Sequence, residues 1–92
     1  MTPDAAEGLA AEALAWMAAD ADLVGRFLAA SGAAPGDLSA AVRDPAFLGF
    51  VLDFLLGDEE SVTAFAATVG RPPEDLLRAR AALPGGMTPE WT

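Results

Sequence analysis

Apolar residues recur every three to four positions along most of the chain, which is the spacing of one face of an α-helix. Short polar segments interrupt this pattern, and most of them contain Asp, Gly or Pro, the residues that start and stop helices. Asp20, for example, precedes the second apolar run as an N-cap, and Gly32 follows that run as a stop. With caps and stops included, the pattern predicts helices near residues 3–19, 20–32, 35–43, 44–57, 58–70 and 72–83.

The fourth predicted helix is apolar almost all round, which indicates a position at the centre of a bundle. Only a narrow strip at Gly49 and Asp53 interrupts its apolar surface. We expect Asp53 to lie exposed on this strip, and the alternative is an internal ion pair with an arginine such as Arg26 or Arg43. If Phe50 is exposed as well, it borders a groove with Asp53. Gly49, Phe50 and Asp53 are therefore the candidate partner-binding residues.

The second half of the chain repeats the first at a constant offset of 38 in residue number. Over positions 14–41, ten residues are identical to their counterparts at this offset, where this composition would give about three by chance. The pairs are Leu14/Leu52, Asp20/Asp58, Val24/Val62, Phe27/Phe65, Ala29/Ala67, Gly32/Gly70, Pro35/Pro73, Asp37/Asp75, Leu38/Leu76 and Ala41/Ala79. The sequence thus predicts two tandem three-helix units packed about a pseudo-twofold axis.

Composition agrees with an all-α fold, because 22 of the 92 residues are Ala and none is Ile. We expect a compact six-helix bundle that forms a single domain over residues 1–86, followed by a short tail over residues 87–92. Trp16, Phe47 and Phe54 are expected in the core, whereas Trp91 in the tail has no predicted role.

The chain is acidic, with 14 Asp and Glu against five Arg and a net charge of −9. Most of the acids fall at predicted helix starts, where they complement the helix dipole. This charge disfavours nucleic acid and anionic membranes as partners. The chain begins without the pattern of a signal peptide, and its longest apolar stretch, AFLGFVLDFLLG, is too short to span a bilayer. A cytoplasmic location without membrane contact is the expectation.

Candidate chemistry is sparse, because the chain contains no His, Cys, Lys or Tyr. The usual general bases and nucleophiles are therefore missing, and the paired carboxylates are explained as helix caps. Residues 20–31 begin like a calcium-binding loop, but Val24 stands where the loop needs an oxygen ligand and Ser31 stands where it needs a bidentate Glu. We expect no enzyme, no catalytic residue, no metal site and no cofactor.

A helix-turn-helix pattern occurs at Ala66, Gly70 and Leu76, with the sixth helix in the place of the recognition helix. Glu74 and Asp75 stand at the end of that helix which would approach DNA, so electrostatics oppose the interpretation.

A succession of residues across the middle of the chain resembles a family of small, Ala-rich bacterial proteins catalogued as domain of unknown function three-five-seven-two. The residues that carry the resemblance are Phe27, Leu28, Gly32, Pro35, Asp37, Leu38, Asp44, Pro45, Phe47, Leu48, Val51, Leu52, Asp53, Phe54 and Leu55. The resemblance spans about residues 8–83 and implies an all-helical protein. It brings no activity, cofactor or catalytic residue.

The expected function is that of a non-catalytic protein-interaction or adaptor module with an unknown protein partner. Two alternatives remain open: a homodimeric structural protein, and a weak helix-turn-helix-like nucleic-acid binder. A salt-dependent shift with duplex DNA would favour the second alternative.

Overall fold

The computed structural model describes residues 1–84, and these residues form helices without any strand. The helices are α1 (Pro3–Ala18), α2 (Ala21–Ser31), α3 (Leu38–Ala41), α4 (Pro45–Leu56), α5 (Glu59–Val69) and α6 (Glu74–Ala81). A 3₁₀ turn over Pro35–Asp37 leads into α3, so the third predicted helix is shorter than its pattern suggested. The predicted all-α bundle is confirmed, and the tail with Trp91 lies outside the described residues.

Helices α1, α2, α4 and α5 begin and end at the predicted residues, and local hydrogen bonds and backbone angles explain these ends. The Asp20 Oδ1 atom accepts hydrogen bonds from the backbone N–H groups of Asp22 and Leu23 at 3.1 and 3.2 Å. Thr2, Asp44 and Asp58 cap α1, α4 and α5 in the same manner. Gly32 and Gly70 end α2 and α5 with φ angles of +74° and +68°, a region that suits glycine.

The core is built around α1 and α4, which pack against each other. α2 packs against α1, α5 packs against α4, and α6 lies against both central helices. The largest side chains without solvent exposure are those of Phe27 on α2 and Phe65 on α5. Burial of this apolar surface, at about 25 cal/mol per Å², is the main stabilising contribution.

Two aromatic contacts join the halves of the chain, and the repeat offset of 38 residues converts one contact into the other. The rings of Trp16 on α1 and Phe65 on α5 lie 5.6 Å apart between centroids. The rings of Phe54 on α4 and Phe27 on α2 lie 5.3 Å apart. Phe54 is the counterpart of Trp16 in the repeat, and Phe65 is the counterpart of Phe27. Each half therefore supplies an aromatic side chain to the other, as a pseudo-twofold arrangement requires.

The third helix of each half breaks this symmetry. α6 packs against both α1 and α4, whereas α3 is four residues long and makes no contact of similar extent with either. Leu76 on α6 is fully buried, but its counterpart Leu38 is half-buried. The pseudo-twofold relationship therefore describes helices α1, α2, α4 and α5.

Candidate functional site

An ion pair fastens α6 to α4 at the position of the predicted partner-binding residues. The Arg80 Nε atom donates to Asp53 Oδ1 at 2.5 Å, and Arg80 Nη2 donates to Asp53 Oδ2 at 2.9 Å. Arg80 is 15% exposed at its side chain and Asp53 is 49% exposed. Asp53 is exposed as predicted, and neither Arg26 nor Arg43, the examples given for the internal alternative, pairs with it. The partner is Arg80, which is distant from Asp53 in sequence.

Gly49 is buried, which corrects its predicted place on an exposed strip. A Cβ atom at this position would lie 2.7 Å from Arg80 Nη1 and 3.1 Å from the Pro84 carbonyl oxygen. The same Nη1 atom donates a hydrogen bond to that carbonyl at 3.0 Å. The end of α6 thus covers Gly49 because glycine leaves room for the guanidinium group and the Pro84 backbone.

Phe50 is half-buried and therefore offers only part of its ring to solvent. Its ring packs 5.7 Å from Phe27 and 6.5 Å from Phe47, measured between centroids. The three candidate partner-binding residues thus lie together on α4, but only Phe50 and Asp53 reach the surface, and Asp53 is engaged by Arg80. A role for them in partner binding stays a prediction.

A shallow concave surface, open to solvent, lies where the end of α1 meets the starts of α2 and α5. The cleft has a volume of about 450 Å³. Its lining consists of Trp16, Asp20, Leu23, Arg26, Asp58, Glu60, Ser61 and Ala64. We refer to these residues as the interhelix cleft.

Equivalent positions of the two halves of the chain line the interhelix cleft together. Three pairs of repeat counterparts line it: Asp20/Asp58, Leu23/Ser61 and Arg26/Ala64. Both N-cap carboxylates therefore converge on one surface, although they lie far apart in the chain.

The polar side chains of the interhelix cleft differ in how firmly they are held. Asp58 Oδ1 accepts from the Glu60 backbone N–H at 3.2 Å, and its Oδ2 accepts from Ser61 Oγ at 2.8 Å. Ser61 is only 7% exposed. Glu60 and Arg26 are exposed and extend from the first turn of α5 and the middle of α2. Three carboxylates and one guanidinium group give the cleft a negative charge.

Trp16 forms the aromatic wall of the cleft and is half-buried, which places it between the predicted core position and a surface position. Its contact with Phe65 holds the indole ring in place. Trp16 therefore offers part of an aromatic ring to a group that enters the cleft. Among residues 1–84, no group of three or more carboxylates lies close enough together to hold a metal ion.

The helix-turn-helix residues adopt the local conformation that the pattern requires, but their surroundings are acidic. Ala66 and Leu76 are buried, and Gly70 has a positive φ. At the start of α6, Asp75 pairs with Arg71 at 3.1 Å and with Arg78 at 2.8 Å. The hydrogen bond from Arg71, aided by one from Arg78, holds the pKa of Asp75 below its ordinary value of 3.8. These arginines are engaged by a carboxylate and are less available to phosphates.

Sequence reasoning missed the interhelix cleft because its carboxylates and its aromatic residue each have a sufficient local explanation. Asp20 and Asp58 were accounted for as caps, and Trp16 as a core residue. The signal that could have found the cleft was the internal repeat, which places identical carboxylates at equivalent positions of two packed halves.

Comparison with known proteins identifies a family for nearly the whole chain. Residues 3–86 match the family described as "Protein of unknown function (DUF3572)". No curated protein and no solved structure matches the chain. Among the described residues, no helix is long and apolar enough to span a membrane.

Proposed function

Given that the chain belongs to the family of proteins of unknown function DUF3572, we propose that it is a non-catalytic protein-interaction module that binds its partner at the interhelix cleft. The observation that carries the proposal is the half-buried Trp16 ring in a cleft of about 450 Å³. Tryptophan is among the residues that contribute most to protein interfaces, since it combines a large apolar ring with a hydrogen-bond donor.

The walls and the rim of the cleft both support this proposal. Its walls belong to three helices that pack into the core, so the binding surface is fixed before the partner arrives. Its rim bears charged groups that can select the orientation of a partner. A fixed apolar centre with a charged rim is the common anatomy of protein interfaces.

A non-catalytic role is supported by the chemistry of the same residues. Asp20 and Asp58 each use at least one carboxylate oxygen to cap a helix. No histidine, cysteine, lysine or tyrosine exists in the chain to act with them. The nucleic-acid alternative is weakened further, because Arg71, Arg78 and Arg80 all pair with aspartates.

Site-specific photo-crosslinking in cells of the source organism tests the proposal. One variant replaces Glu60 at the cleft with p-benzoylphenylalanine, and the control replaces Leu77, which is 59% exposed on α6, with the same residue. We expect irradiation to give a discrete protein adduct from position 60 and none from position 77.

The mass of the adduct separates the candidate functions. An adduct with another protein supports the proposed function and identifies the partner. An adduct of two copies of this chain supports the homodimeric alternative. Equal adducts from both positions, or none from position 60, would contradict docking at the cleft.

A further inference from the structure

We infer that the interhelix cleft receives an arginine side chain from the surface of the partner protein. This inference rests on the proposed function and names the chemistry of the group that is bound. It follows from the combination of an indole ring, apolar side chains and an excess of carboxylates in one concave surface.

The apolar part of the cleft suits the stem and the planar head of an arginine. Leu23 and Ala64 contribute apolar atoms that methylene groups can contact, and the aromatic ring of Trp16 lines the same surface. A guanidinium group stacks on an indole face through cation–π attraction, for which tryptophan is the best aromatic partner. The contact of Trp16 with Phe65 restricts the ring before binding, which lowers the side-chain entropy that binding costs.

The charges of the cleft select a cation over a neutral or anionic group. Asp20, Asp58 and Glu60 contribute three negative charges, which Arg26 and the N-terminal ends of the α2 and α5 dipoles offset only in part. Asp20 uses Oδ1 for both of its capping hydrogen bonds, so its Oδ2 can accept from a ligand. Glu60 on the exposed rim can do the same. Arginine presents five donors in a flat fork, which can reach carboxylates on two sides.

Charge complementarity extends beyond the cleft. The chain carries a net charge of −9, so a basic partner surface is attracted before any specific contact forms. This long-range attraction alone does not place a cation at the cleft, and the test must separate the two contributions.

Nuclear magnetic resonance of the full chain, labelled with ¹⁵N, provides the test. The probe is an acetylated and amidated pentapeptide with one central arginine between alanines, and its control contains citrulline, the uncharged isostere of arginine. The signals to follow are the Trp16 indole N–H and the Ser61 amide, both at the cleft. We expect the arginine peptide to shift both signals, and the citrulline peptide to bind about fivefold more weakly.

Two double variants distinguish the cleft from the general charge of the surface. Asp20→Asn with Asp58→Asn removes two charges at the cleft but keeps the helix caps, because Asn caps as well as Asp. Asp4→Asn with Glu74→Gln removes two exposed charges from the starts of α1 and α6. We expect the first pair to weaken binding of the arginine peptide about fivefold and the second pair to change it less than about twofold.

Three results would overturn the inference. The first is equal affinity for the arginine and citrulline peptides. The second is an equal loss of affinity in the two double variants. The third is a set of chemical-shift changes that leaves out the Trp16 and Ser61 signals. If photo-crosslinking from position 60 still captures a protein, the proposed function stands and only the arginine assignment falls.

Discussion

The ring of Trp16 packs against the ring of Phe65 at 5.6 Å, and exchanging each residue for its repeat counterpart converts this contact into that of Phe54 with Phe27. The two contacts cross between the halves in opposite directions, which is the relationship that a twofold axis produces. Of the four aromatic rings, Trp16 is the one that lines the interhelix cleft. The repeat therefore relates contacts within the fold and also places three pairs of counterpart residues at the interhelix cleft.

The ion pair between Arg80 and Asp53 is expected to contribute measurably to stability. The pair is bidentate and the arginine side chain is mostly buried, whereas Asp53 is half-exposed and partly screened by water. A double-mutant cycle with Arg80→Leu and Asp53→Ala should give a coupling free energy of about 1 kcal/mol. Urea denaturation of the four proteins measures it, and additive effects of the two changes would contradict the assignment.

Gly49→Ala should fail to stabilise the protein, unlike other glycine-to-alanine changes in its helices. Alanine is better than glycine in a helix by about 1 kcal/mol, but a Cβ atom here meets Arg80 and the Pro84 carbonyl. Gly25→Ala in α2 is the matched control, since no atom lies within 4 Å of its Cβ position. We expect Gly25→Ala to raise the free energy of unfolding and Gly49→Ala to lower it or leave it unchanged. An equal gain at both positions would disprove the close approach of α6.

Substitution of Gly32 or Gly70 should destabilise the protein because both have positive φ angles. Gly32→Val and Gly70→Val should each lower the free energy of unfolding by roughly 1 kcal/mol or more. Gly70→Asn is the control, because asparagine tolerates the left-handed region. Thermal denaturation at position 70 should give the highest melting temperature with glycine, a lower one with asparagine and the lowest with valine. A valine variant as stable as the asparagine variant would contradict the observed helix ends.

The pKa of Asp75 should be lower in the folded protein than its ordinary value of 3.8, because Arg71 and then Arg78 donate to its carboxylate. A lowered pKa contributes stability that is fully present above 3.8 and is lost as the pH falls through the folded value. The stability difference between wild type and Asp75→Asn should therefore shrink on acidification. Titration by nuclear magnetic resonance measures the pKa directly, and Arg71→Gln should raise it. An unchanged pKa in that variant would refute the stated cause.

The sequence predicted what local chemistry controls. Caps such as Asp20 and stops such as Gly70 depend on near neighbours in the chain, so their patterns were sufficient. The all-α bundle followed from helical periodicity. The third helix was predicted too long, because its Pro-containing start forms a 3₁₀ turn and Val42 at its end is 40% exposed.

The contacts between distant residues were not predictable in the same way. Arg80 joins Asp53 because α6 crosses α4, and the first half has Val42 and Ala15 at the corresponding positions. These two side chains cannot form an ion pair, so α3 lacks the contact that holds α6 against α4. The interhelix cleft likewise depends on how two halves pack, which a periodic pattern does not specify.

The most direct test of docking at the cleft is the affinity of the crosslinked partner for two purified variants, measured by isothermal titration calorimetry. Ala64→Gln adds bulk inside the cleft, and Ala81→Gln adds the same bulk at an exposed position on α6. We predict that Ala64→Gln weakens binding at least about tenfold, as expected for an obstructed interface centre, while Ala81→Gln leaves it unchanged. Equal affinity of both variants and wild type would show that the partner binds elsewhere.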